Sequence, residues 1–112
     1  MGKPDLSQEI SDFNASVQNI GVCSVYASQA IKNTKARYVF LEICEQSIGR
    51  FKTSTERINQ KYISEKLGIS RKTLIKYIKE LENDGFLKVE KSNHKKIGTG
   101  SNSNKYTPIF KQ

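Results

Sequence analysis

Residues 59–89 read NQKYISEKLGISRKTLIKYIKELENDGFLKV, and the punctuation of this stretch decides the fold. Asn59 is a capping residue type, and it opens a helix over Gln60 to Leu67 with Ile63 and Leu67 turned inward. Gly68 follows where a left-handed residue ends a helix at little cost. Ile69 then plugs toward the core and Ser70 caps a second helix, from Arg71 to about Asn83. Asp84-Gly85 stops that helix, and Phe86 to Glu90, FLKVE, alternates as a strand does. The order is helix, tight turn, helix, strand.

The second helix has two unlike sides. At about 100° per residue, Leu74, Ile78 and Leu81 fall on one side with Tyr77 beside them. Lys72, Ile75, Lys76 and Lys79 fall on the other. After the strand, residues 92–104 are rich in Gly, Ser and Asn and read as a long loop. Lys105 to Ile109 reads as a returning strand, and Pro108 is expected to confine it to an edge. The two strands and their loop form one hairpin.

Taken together, the turn Leu67-Gly68-Ile69-Ser70, the Leu74/Ile78/Leu81 spacing and Asp84-Gly85-Phe86-Leu87 before a strand resemble the winged helix-turn-helix family of DNA-binding domains. The resemblance covers residues 35–51 and everything after Ile58. It implies an α+β, mainly helical fold: a three-helix core with a C-terminal β-hairpin wing. It also implies double-stranded DNA as the partner, with the helix of residues 71–83 in the major groove. The matching contact positions are Ser70, Arg71, Lys72, Thr73, Ile75 and Lys76.

Each position has a plain chemistry. Arg71 suits a guanine edge or a phosphate, and phosphate contacts are the commoner kind. Lys72, Lys76 and Lys79 suit phosphates or a solvated face. Thr73 suits a phosphate, a thymine methyl or the helix start. Ile75 is apolar among lysines, so it either meets a thymine methyl or packs against the wing or the N-terminal segment. Gln60 and Lys61 stand at the start of the first helix, whose amides can point at a phosphate. In the wing, His94, Lys95 and Lys96 suit the flanking backbone or the minor groove. His94 is the only histidine.

Charge agrees with this placement. Residues 1–58 carry a net charge of +1, and residues 59–112 carry +7. A basic half of this kind concentrates polyanions. A length of 112 residues favours one winged-helix domain, placed at residues 35–112, behind an N-terminal segment of residues 1–34. That segment is expected to be partly disordered, with parts packing on the core. Ile10, Phe13, Val17 and Ile20 suggest a short helix from about Ser11, which Gly21 is expected to interrupt. Residues 22–31 are ambiguous between strand and helix, leaning to helix or irregular structure.

Asn33 and Thr34 can cap a helix from about Lys35 to Phe51. Val39, Phe40, Ile43, Ser47, Ile48 and Phe51 form its apolar face, with Cys44 at the border. Glu42, Glu45 and Arg50 are expected on its surface. Residues 52–57 read as a polar loop, and Ile58 as the start of a very short strand.

Cys23 and Cys44 have no second Cys or His nearby, which argues against a zinc site. Fourteen Asn and Gln residues argue against a thermophilic source, so two free thiols are favoured. The whole chain also resembles small winged-helix proteins encoded by spindle-shaped viruses of hot-spring archaea. That resemblance implies an intracellular viral regulator and, against the composition, a disulfide between Cys23 and Cys44.

No apolar run approaches the roughly eighteen residues of a bilayer span, and no signal-peptide core is present. Neither a Walker A loop, a GxGxxG nor an HExxH occurs, so the expectation is no enzyme, no cofactor and no metal. The leading function is transcriptional regulation. The alternatives are origin binding of the replication-initiator type and a protein–protein interaction module with an acidic partner. Monomer and homodimer stay open. A dimer would use residues 35–51 or the N-terminal segment.

Overall fold

The computed structural model describes residues 19–91 and 103–110. Residues 19–30 are helical (α1). Thr34–Gln46 forms α2, and a 3-10 turn follows at Ile48–Arg50. Ile58–Asn59 is a short strand, β1. Next come α3 at Gln60–Leu67 and α4 at Arg71–Asn83. Leu87–Glu90 and Ser103–Pro108 are β2 and β3. The result is an α+β winged helix: helices around one core, with a small antiparallel sheet in the order β1-β3-β2.

The buried core draws on all four α-helices and on β2 and β3, while Ile48 of the 3-10 turn and Ile58 of β1 are partly buried against it. Val39, Phe40, Ile43 and Cys44 come from α2, and Ile63 from α3. Leu74, Tyr77, Ile78 and Leu81 come from α4, with Leu87 and Tyr106 from the hairpin. Cys23 and Ala27 of α1, and Ile31 just after it, are buried in the same cluster. Tyr26, Phe40, Phe86 and Phe110 then pack ring against ring at 5.0–6.4 Å, which ties α1 and α2 to the open end of the hairpin, where β2 starts and β3 stops.

The N-terminal expectation needs correction at Gly21, because α1 runs straight through it. Gly21 has open space around it, and burial of Cys23 and Ala27 outweighs the cost of about 1 kcal/mol that glycine carries in a helix. The expected start near Ser11 lies outside the described residues.

The helix expected to reach Phe51 ends at Gln46. Ser47 is buried and turns its hydroxyl back to donate to the Ile43 carbonyl at 2.7 Å. Such back-bonding competes with the helical ladder. Phe51 then takes a left-handed φ of 61° and is exposed instead of joining the apolar face.

Glu42 is a second correction. It is buried, where a surface position was expected. Its carboxylate accepts from Gln46 Nε2 at 2.9 Å and from Lys66 Nζ at 2.9 Å. A buried carboxylate demands such partners, and the pair fastens α3 to α2.

The third correction concerns Pro108. β3 is the central strand, not an edge. β1 pairs only with Ser103 and Asn104, so it stops well short of Pro108, and no ladder on that side asks for the missing N–H. In the gap, Thr55 takes over. Its N–H donates to the Tyr106 carbonyl at 2.9 Å and its hydroxyl accepts from the Tyr106 N–H at 3.0 Å. The supposed polar loop therefore contains a buried residue.

Candidate nucleic-acid interface

The two central helices and their turn form as the residues dictate. Asn59 accepts from the Lys61 N–H at 2.8 Å and caps α3. Gly68 ends α3 at φ 69°, and its N–H donates back to Glu65 and Ser64. Any side chain at that φ carries steric strain, which is why glycine stands there. Ser70 accepts from the Thr73 N–H at 3.1 Å and donates to its hydroxyl at 2.8 Å. Gly85, at φ 82°, ends the run after α4.

Burial then fixes how α4 is rotated. Leu74, Tyr77, Ile78 and Leu81 are buried against α2 and α3. Truncating a fully buried leucine such as Leu74 costs about 2–5 kcal/mol, so this rotation is firmly held. As a result Arg71, Lys72, Lys76 and Lys79 are exposed together on the opposite side. Among the described residues, none of the four forms an ion pair with a carboxylate. The Lys76 ammonium lies 5.6 Å from the Tyr77 ring centroid and otherwise faces outward.

The remaining positions differ among themselves. Ser70 is exposed but committed to its cap, and Thr73 is half-buried beneath it. Ile75 is half-buried and lies outside the packed core cluster. Lys61 is exposed and stands 4.0 Å from Glu65. Gln60 turns inward: it hydrogen-bonds the Tyr106 hydroxyl, and its Oε1 is buried without a partner. Asn104 also donates to that hydroxyl, at 3.3 Å, so the root of the hairpin is knit to the start of α3. Burial pushes the Tyr106 hydroxyl above its ordinary pKa, so it stays protonated within this knot. His94, Lys95 and Lys96 lie outside the described residues.

Cys23 and Cys44 are free thiols, both buried. They meet side by side between α1 and α2 and share a hydrogen bond. The bridge implied by the viral resemblance is not formed. Among the described residues there is no cluster of His, Cys, Asp or Glu able to hold a metal ion, and no helix long and apolar enough to cross a membrane.

Reasoning from sequence gave no site role to two cations, Arg50, expected only as a surface residue, and Arg57. Both are exposed, and with Tyr62 and Asn59 they line a polar cleft of about 300 Å³ beside β1. The one available signal was their return to positive charge at either end of the 51–56 loop.

A family model described as an HTH domain matches residues 45–100, half of the chain. Neither the curated proteins nor the solved structures returned a match.

Proposed function

The chain belongs to the helix-turn-helix family, and on that footing we propose that it binds double-stranded DNA as a winged helix and regulates transcription. The observation that carries this reading is the exposed set Arg71, Lys72, Lys76 and Lys79, uncompensated by carboxylates and held outward by a buried Leu74/Ile78/Leu81 face. A helix of this width enters the major groove, and residues near its N-terminus reach base edges. Arg71 and Lys72 occupy that end of α4. Ile75, too exposed for core and too apolar for solvent alone, is suited to a thymine methyl. His94, Lys95 and Lys96 would extend the grip to flanking phosphates or the minor groove.

The test is duplex binding by fluorescence anisotropy with the Arg71→Ala/Lys76→Ala protein. Both side chains are exposed, so the melting temperature should hold while affinity falls at least tenfold. Unchanged affinity would remove α4 from the contact surface. Selection of bound sequences from a random pool would separate promoter-type sites from origin-type repeats, and half-site spacing would report oligomeric state.

A further inference from the structure

The cleft beside β1 has a role that α4 and the wing leave open. Two arginines line it from either end of one loop, Arg50 on the 3-10 turn and Arg57 just before β1, and their guanidinium groups are the cations it offers. Among the described residues neither has an ion-pair or hydrogen-bond partner. One carboxylate also lines the cleft, that of Glu56, and it is already neutralised by the Lys52 ammonium. Tyr62, about half exposed, lines the same space. Two unpaired guanidiniums and a phenol, with a single screened carboxylate, make a receptor for a phosphate-type anion.

The position of the cleft selects the source of that anion. β1 pairs with Ser103 and Asn104, the end of β3 nearest the wing loop. Arg57 therefore stands at the wing root, and Lys61 follows on the exposed side of α3. On the DNA-binding reading, the polyanion brought to α3, α4 and the hairpin is a duplex. The residues that line the cleft are charged or polar apart from Ile58, whereas small-molecule sites are mostly apolar. We infer that Arg50, Arg57 and Tyr62 form a second backbone clamp, gripping one DNA phosphate outside the footprint of α4. This rests on the DNA-binding reading proposed above.

The experiment uses the full chain and a duplex that it binds, with anisotropy measured across a salt series. For Arg50→Ala/Arg57→Ala, affinity should fall about tenfold on specific and random duplexes alike, and the log K–log salt slope should flatten by about one. Arg50→Lys/Arg57→Lys should recover most of that slope, because charge is retained. Lys32→Ala/Lys35→Ala, the same charge loss at exposed sites just after α1 and in the first turn of α2, should leave the slope within error. Methylphosphonate substitution at single flanking positions should weaken the wild type at one phosphate and leave the Arg50→Ala/Arg57→Ala protein unaffected there.

An Arg50→Ala/Arg57→Ala protein with wild-type affinity and slope overturns the clamp, while a loss of affinity in Arg71→Ala/Lys76→Ala alongside it leaves the DNA-binding reading standing. Inorganic phosphate that raises the wild-type melting temperature, alongside unchanged DNA binding by the Ala/Ala protein, would make the cleft a small-anion site and also overturn it. A wild type that binds no duplex overturns both readings.

Discussion

Cys44 shows most sharply how one side chain takes its chemistry from its surroundings. It is fully buried, and burial pushes its thiol far above the ordinary range, with Cys23 beside it adding to the rise. Cys23 is raised as well, again chiefly by burial. A thiol whose folded pKa exceeds its unfolded value contributes stability that is complete below the unfolded pKa, about 9. That contribution is lost as pH rises beyond it, because the unfolded chain gains by ionising and the folded chain does not. We therefore predict that unfolding midpoints in urea fall as pH rises above about 9. The same burial should make both thiols inert to iodoacetamide in buffer and reactive in denaturant. Mass measurement would find two adducts per chain only in the denatured sample. A denatured sample with no adducts and a mass lower by two hydrogens would establish a bridge and refute the free-thiol account. Ile75 marks the opposite case, a residue left half-exposed by its element and suited to contact with a ligand.

Among the elements, α3 and α4 were legible to the residue. Their boundaries are set by short-range chemistry: the Asn59 and Ser70 caps, and glycine at Gly68 and Gly85. Such signals need no knowledge of the rest of the fold. What sequence concealed depends on long-range partners. Glu42 is buried because Lys66 arrives from a helix twenty-four positions on. Gln60 faces inward because Tyr106 lies across the sheet, and Thr55 is buried because β3 lacks a full-length neighbour on that side. The Lys66 ammonium is held in its charged form chiefly by its hydrogen bond to Glu42. Lys66→Ala would strand a buried carboxylate with only Gln46. Because Lys66 itself is partly exposed, water can enter and soften the loss, so the expected destabilisation is about 1–2 kcal/mol, below that of a fully buried pair. Chemical denaturation would measure it. A change under about 0.3 kcal/mol would mean that the pair does not fasten α3 to α2.

Across the whole molecule, charge and architecture divide along the same line. The first 58 residues are close to neutral, with helices α1 and α2 that close the core from behind. The basic remainder carries α3, α4 and the wing, and so collects the positive field on the elements that the family resemblance assigns to DNA. Arg50 and Arg57 depart from that division, since they lie in the near-neutral half yet fold to the wing root. The central claim is that this surface neutralises phosphates of a duplex. The measurement that tests it most directly is the dependence of duplex affinity on salt. Neutralisation of about four to six phosphates predicts that log K falls against log salt with a slope near −4 to −5. A binding curve that stays flat from low to moderate salt, or no binding at low salt, would contradict it.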